Sequence, residues 1–151
     1  MYRSILVVSD GSPLSEKAVK AGLRMARDFG AKVTALNVQP PYQPPIAGEV
    51  PAAFLHNPTE YDKLVREASS RILDEIAKQA AALGVPCETV SEFDHSVYKA
   101  IIRVAKTRRC DLIVMASHGH GGIKGLLLGS ETAKGLNHCQ IPVLVHRCAG
   151  R

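Results

Sequence analysis

Short apolar runs alternate with amphipathic segments along this chain of 151 residues, and that alternation constrains its fold more than any other feature. The runs have the length of strands, and the segments between them place apolar residues at helical spacing. Strands are predicted at Ser4–Ser9, Lys32–Val38, Cys87–Phe93, Leu112–Ala116 and Ile141–His146. This order predicts an α/β fold, in which a five-stranded parallel sheet carries helices on both faces and has right-handed crossovers.

Residues that favour helix ends separate these strands. Ser12 is suited to cap the first helix, with Pro13 at its first position, because serine accepts from free N–H groups and proline lacks one. Asn57 or Thr59 is predicted to cap the second helix. Glycines 30 and 84 are predicted to end these two helices. A third helix starts near Val97 and ends in basic residues, and a short fourth one covers Glu131–Asn137.

The sheet edges and the longest connection are also predicted. Cys87–Phe93 is less apolar than the other strands, and Ile141–His146 carries a proline at its start, so both suit an edge of the sheet. Six of the nine prolines fall between Gln39 and Pro58, which excludes an ordinary helix or central strand there. This connection is interpreted either as a lid or as a mobile link.

The segment from Leu112 to Ser130 has the parts of a phosphate site. An uncharged strand is followed by five glycines and then by a helix start at Ser130. Glycines let the backbone approach a ligand, and free N–H groups at a helix start bind anions. The two standard nucleotide-binding motifs, G-K-[ST] and G-x-G-x-x-G, are both absent from the end of this strand. If the first and fourth strands are neighbours where the strand order reverses, Asp10 lies beside this segment.

Composition narrows the class of protein. The net charge is +5 with a pI near 9.2, yet Trp is absent and aromatics make up 5%, which argues against nucleic acid as a partner. No apolar run has membrane-spanning length, and no signal peptide is evident. The four cysteines are scattered without a C-x-x-C pair, as expected for free thiols in the cytoplasm. We expect a single domain over residues 1–151.

Several separated blocks resemble the universal stress protein family in the same order. The matching blocks are VVSDGS at 7–12, ALNV at 35–38, CDLIVMASHG at 110–119, LLLGSET at 126–132 and IPVLVHR at 141–147. The resemblance implies a Rossmann-like, adenine nucleotide alpha hydrolase-like sheet with strand order 3-2-1-4-5. The family's nucleotide motif is G-x2-G-x9-G-[ST], and its second half matches Gly119 and Gly129-Ser130. Its first glycine falls on Ala116.

The resemblance implies that the site binds an adenine nucleotide, ATP or AMP, with which Mg²⁺ can also bind. It implies no structural metal. In ATP-binding members the carboxylate after the first strand contacts the ribose and the end of the second strand packs on adenine. The loop after the fourth strand cradles sugar and phosphates, and the following helix start donates to the phosphates. The implied nucleotide-binding residues are Ser9, Asp10, Val38, Met115, Ala116, Gly119, His120, Gly129, Ser130, Glu131 and Thr132. A stress-response homodimer through Ile141–His146 is implied as well.

Other interpretations stay open at several positions. Asp10 could instead be a residue of the turn before the first helix. Ala116 damages the site if its position needs a positive φ and is harmless in ordinary strand geometry, so a dimer without nucleotide, acting as a chaperone-like or protein-interaction module, is the alternative function. His118 and His120 lack a third ligand at a telling spacing. The chain has no Walker lysine and no G-x-S-x-G elbow, so we expect at most slow, incidental ATP hydrolysis.

Overall fold

The computed structural model describes residues 1–43, 58–117 and 130–147, with the backbone alone for residues 130–132 and 134. Within these ranges strands and helices alternate throughout, as the sequence predicts. They are β1 (Ser4–Val8), α1 (Pro13–Phe29), β2 (Lys32–Gln39), α2 (Pro58–Ala82), β3 (Cys87–Phe93), α3 (Val97–Thr107), β4 (Leu112–Ala116), α4 (Ser130–Asn137) and β5 (Val143–His146).

The five strands form one parallel sheet with the order β3-β2-β1-β4-β5. The predicted fold class and strand order are therefore confirmed, and so are the edge positions of β3 and β5. The chain builds outward from β1 to β3, then crosses to β4 on the other side of β1. The strand order reverses between β1 and β4, which is where ligands bind in sheets of this kind.

Helices cover both faces of the sheet. Ile5 and Val7 point to the face covered by α1 and α2, whereas Leu6, between them, points to the face covered by α3 and α4. All three side chains are fully buried. Because successive strand residues point to opposite faces, a strand covered on both sides has few exposed positions and is mostly apolar. This explains the continuous apolar runs of β1 from Ile5 to Val8 and of β4, whereas β2 also buries the polar Thr34 and Asn37.

The structure has the predicted N-cap of α1 and the glycines predicted to end α1 and α2. The Ser12 hydroxyl accepts a hydrogen bond from the Ser15 N–H at 3.2 Å, and Pro13 begins α1. Gly30 and Gly84 follow α1 and α2 with φ of 65° and 67°, a conformation that costs glycine little. Local sequence signals therefore place these ends correctly.

Other boundaries differ from the prediction. The helix α2 begins at Pro58, so Thr59 lies inside its first turn and is not its cap, while Asn57 falls outside the described residues. Proline suits that first position because its missing N–H would have no partner there. The connection over residues 44–57 is not described either, and both interpretations of it stay open.

The remaining differences are one or two residues at strand and helix ends. β1 stops at Val8, before Ser9, because the chain turns at Gly11, where φ is +80°. β2 extends to Gln39, and α4 starts at Ser130 rather than Glu131. β5 begins at Val143, two residues later than predicted, because proline at position 142 cannot donate to a ladder. None of the described helices combines the length and apolar character needed to span a bilayer.

Candidate functional site

The strand register brings together the residues predicted at the strand ends. Val8 of β1 pairs with Leu36 of β2, and Asp10 and Val38 each come two residues after this last pair. On the other side Val7 pairs with Val114 of β4, which places Ser9 level with Ala116. Neighbouring strands lie about 4.8 Å apart. The four predicted site residues Ser9, Asp10, Val38 and Ala116 therefore lie close together at the carboxyl ends of β1, β2 and β4.

The turn between β1 and α1 is held by buried hydrogen bonds. The Ser9 hydroxyl lies 3.0 Å from that of Ser15 and accepts from the Gly11 N–H at 3.1 Å. Ser9 is only 3% exposed, so its hydroxyl is already committed to the turn. A Cβ at Gly11 would lie 3.0 Å from Ile72 Cδ1 and would also demand a rare positive φ. The geometry and the packing both require glycine at this point.

Asp10 has a structural role that the sequence left open. Its Oδ1 accepts a hydrogen bond from the Ser12 N–H at 3.0 Å, an Asx turn. Ser12, not Asp10, is the N-cap of α1. The carboxylate therefore closes the turn that precedes the helix, and this bond fixes its direction at the end of β1.

Asn37 belongs to this edge although the sequence analysis did not select it. The side chain is fully buried in β2, donates to the Ser9 carbonyl at 2.9 Å and accepts from Gln39 Nε2 at 3.0 Å. It therefore ties β2 to the turn that carries Asp10. The available signal was an amide between the apolar residues Leu36 and Val38 of a predicted strand, because a buried amide must be hydrogen-bonded.

Ala116 has ordinary strand geometry. It is the last residue of β4 and pairs with His146 of β5. Among the described residues other than glycine, only Arg109 has a positive φ. Ala116 is 9% exposed and packs into the apolar cluster beneath α1, while Met115 faces the opposite cluster. Replacing glycine by alanine at this position thus introduces no backbone strain.

The rest of the predicted site is only partly described. Gly119, His120 and Gly129 lie outside the described residues. Ser130, Glu131 and Thr132 form the first turn of α4. Because α4 connects the carboxyl end of β4 to the amino end of β5, its first turn lies, like Asp10, at the carboxyl ends of the strands. The first N–H groups of a helix have no partner within it, so they are available to an anion.

Metal ligands and reactive thiols are not conspicuous in the described part of the chain. No three His, Cys, Asp or Glu side chains there are grouped to hold a metal ion, and His118 lies outside it with His120. Burial raises the pKa of the Cys110 thiol and of the Cys87 thiol, so neither is an activated nucleophile. The Cys110 Sγ lies 3.7 Å from the Ser4 hydroxyl, at the amino ends of the strands, whereas Asp10 lies beyond the carboxyl end of β1.

Comparisons with known proteins show the family and the fold of this chain. The sequence model of the universal stress protein family matches residues 1–147. The universal stress protein MJ0531 of Methanocaldococcus jannaschii is 29% identical over 150 residues, covering 96% of this chain and 82% of that protein. Among solved structures, MJ0577 of the same organism superposes with a TM-score of 0.76 at 24% identity, covering 100% of this chain and 99% of that one. A universal stress protein in complex with cAMP has a TM-score of 0.67 at 26% identity, with 95% and 96% covered.

Proposed function

This chain belongs to the universal stress protein family, and from that premise we propose that it binds an adenine nucleotide, ATP or AMP, at the carboxyl ends of β1, β2 and β4. One structural observation supports the proposal: the last β1–β2 pair is Val8 with Leu36, so Asp10 and Val38 both follow it by two residues, at the carboxyl ends of the strands where α4 begins. The cAMP complex of a similar protein supports it. Binding, and not turnover, is the proposed activity.

Each part of the site suits one part of the nucleotide. The Asp10 carboxylate accepts hydrogen bonds from ribose hydroxyls, and the backbone around Val38 packs on the base. The backbone at Met115 and Ala116, with Gly119 and His120 after it, surrounds the sugar and phosphates. The N–H groups that begin α4, from Ser130 to Thr132 and with Gly129 before them, bind phosphate oxygens, with or without Mg²⁺. Ser9 acts through the turn that holds Asp10.

The proposal extends to assembly and location. β5 is an edge strand whose four residues are all half-buried, and an unpaired edge of this kind favours pairing with a second copy. We therefore expect a homodimer through the strand predicted at Ile141–His146. Cys87, Cys110 and Cys139 are free thiols, which suits the cytoplasm. Such a dimer would respond to nucleotide level as a regulatory module in stress.

Ala116 is the observation that favours a second candidate function. It occupies the position of the motif's first glycine, and it adds a methyl group at the end of β4. If that space is needed by the nucleotide, the dimer acts without it, as a chaperone-like or interaction module. Against this, the ordinary strand geometry of Ala116 removes any conformational reason for glycine.

Calorimetric titration with ATP and AMP tests the proposed function. We expect wild-type protein to bind at micromolar to millimolar nucleotide, and Asp10→Asn to weaken binding about tenfold through loss of a charge-assisted hydrogen bond. Asparagine keeps an oxygen that can accept from the Ser12 N–H, so this variant preserves the turn. Thermal denaturation confirms that it does.

Ala116→Gly separates the two candidate functions. If wild type binds, this variant should change the affinity less than about threefold, because glycine relieves no strain at an ordinary strand position. Binding by Ala116→Gly alone would favour the second candidate. Absence of heat and of a thermal shift at millimolar ATP, in wild type and variant alike, would refute nucleotide binding.

A further inference from the structure

Gly135 lies in the sixth position of the eight-residue helix α4, where glycine is normally unfavourable. Its φ is not positive: the described glycines with positive φ are Gly11, Gly30 and Gly84. Backbone conformation therefore does not explain it. Space does, because a Cβ at Gly135 would overlap Tyr98 Cδ2 and would lie 2.5 Å from Tyr98 Cγ. The Tyr98 ring packs directly on the backbone of α4.

Rotation of the ring cannot make room for a side chain at Gly135. The Tyr98 Cγ atom lies on the axis about which the ring turns, so turning the ring leaves that 2.5 Å contact in place. Real Cβ contacts are essentially never shorter than 3.0 Å. A methyl group at position 135 therefore forces either a new χ1 rotamer of Tyr98 or a displacement of α4 from α3.

This contact can set the position of the first turn of α4 in space. Tyr98 lies in the first turn of α3, and α3 and α4 pack side by side on one face of the sheet. Leu136 packs into the apolar cluster of that face, which anchors the carboxyl end of α4. Gly135 is about 7.5 Å along the helix axis from Ser130, so a displacement at Gly135 also moves the first turn.

We propose that Tyr98 and Gly135 are positioning residues, which hold the first-turn N–H groups of α4 at the phosphates of the bound nucleotide. This inference rests on the proposed function and deepens it, because it separates recognition of phosphate from recognition of the nucleoside. Asp10 and Val38, which would contact ribose and base, belong to other elements of the fold. A displacement of α4 therefore weakens binding of the phosphates and leaves binding of the nucleoside unchanged.

The test compares ATP with adenosine, which lacks phosphates, by calorimetric titration of Gly135→Ala. We expect ATP to bind about tenfold more weakly, as when one charge-assisted hydrogen bond is lost. Adenosine should bind within about twofold of wild type, since its contacts do not involve α4. Tyr98→Ala removes the contact from the other side and should lower the ATP affinity in the same selective way.

Three further variants give the test its controls. In the double variant Gly135→Ala/Tyr98→Ala the new methyl group enters the space left by the ring, so ATP affinity should recover toward wild type. Tyr98→Phe keeps the ring and should bind ATP like wild type. Gly22→Ala is the matched control: its Cβ would lie 2.6 Å from Val7 Cγ1 beneath α1, so it lowers the melting temperature without changing the ratio of ATP to adenosine affinity.

The outcomes distinguish this inference from the function on which it rests. Wild type that binds neither ligand would refute the proposed function. Wild type that binds ATP, with Gly135→Ala binding it equally well or losing ATP and adenosine in equal measure, would overturn the positioning role alone. If Gly135→Ala does not fold, Tyr98→Ala and the double variant decide the question by the same ratio.

Discussion

Arg109 has a φ of 54°, a conformation that glycine adopts more easily than any residue with a Cβ. It follows the end of α3, where its N–H donates to the Lys106 carbonyl at 3.1 Å and the Cys110 N–H donates to the Ala105 carbonyl at 2.8 Å. The helices α1 and α2 end with the same pair of bonds around Gly30 and Gly84. At α3 the same ending is built on an arginine, which makes it strained.

Replacing Arg109 by glycine should therefore stabilise the protein. We expect the free energy of unfolding to rise by about 1 kcal/mol, because glycine has no Cβ and therefore adopts the left-handed conformation without steric strain. Chemical denaturation measures the difference. Arg109→Ala is the control: it removes the charged side chain but keeps the Cβ, so it should bring no such gain. Equal stabilisation by both variants would attribute the effect to charge instead of backbone strain.

At the scale of elements, the start of α3 depends on a carboxylate outside the helix. The Ser96 hydroxyl makes no capping bond and is buried without a partner in the described structure. Instead Asp94 Oδ1 accepts from the Ser96 N–H at 2.8 Å, and its Oδ2 accepts from Arg103 at 3.0 Å. Arg103 also pairs with Glu92 at 3.2 Å. The connection from β3 to α3 is thus closed by charged groups at the surface.

This arrangement predicts a loss of stability in acid. The Ser96 N–H, and after it Arg103, lower the pKa of Asp94 below its ordinary value of 3.8. The carboxylate then stabilises the fold at all pH values above that ordinary value, and the contribution is lost as the pH falls through the lower folded-state pKa. Melting temperatures measured from about pH 6 to pH 2 should show a shallower acid decline in Asp94→Asn than in wild type.

Asparagine at position 94 retains an oxygen for the Ser96 N–H, so the variant changes titration more than geometry. Glu67→Gln is the control, since Glu67 is an exposed carboxylate on α2. Raising the salt concentration should reduce the Arg103 part of the effect, because exposed ion pairs are screened. An acid decline that is identical in Asp94→Asn and wild type would contradict this account.

At the scale of the whole molecule, the two edge strands of the sheet differ in how readily they would pair with a strand of another molecule. β3 at one edge is short of apolar side chains and carries charged residues such as Glu88 and Glu92. β5 at the other edge is uncharged from Val143 to Val145. Charged edge strands resist further pairing, whereas apolar ones invite it. This asymmetry supports β5 as the dimer strand.

A charge placed on β5 should dissociate the proposed dimer. We expect wild type to scatter light as a dimer at micromolar concentration and Val145→Lys to scatter as a monomer, because lysine on an edge opposes strand pairing. Leu64→Lys adds the same charge at a side chain that is 56% exposed on α2, and it should leave the dimer intact. A monomeric wild type would refute the proposal, and a dimeric Val145→Lys would place the interface elsewhere.

The periodicity of the sequence and its end-capping residues determined the elements of this protein without tertiary information. β4 throughout and β1 from Ile5 to Val8 are apolar because both faces of the sheet are covered there, and Ser12 and Gly30 act through hydrogen bonds a few residues away. Such signals are local, so they can be read from the chain. The strand order followed from family resemblance, which carries tertiary information of its own.

The tertiary structure alone decided what depends on contacts between distant residues. Asn37 supports Ser9 across 28 positions of sequence, and Gly135 makes room for Tyr98 of another helix. Ala116 likewise pairs with His146 of β5, 30 positions later in the sequence. In each case the residue type was visible in the sequence, but its partner was not. Proximity between segments arises only when the sheet assembles, and it is proximity that gives these residues their roles.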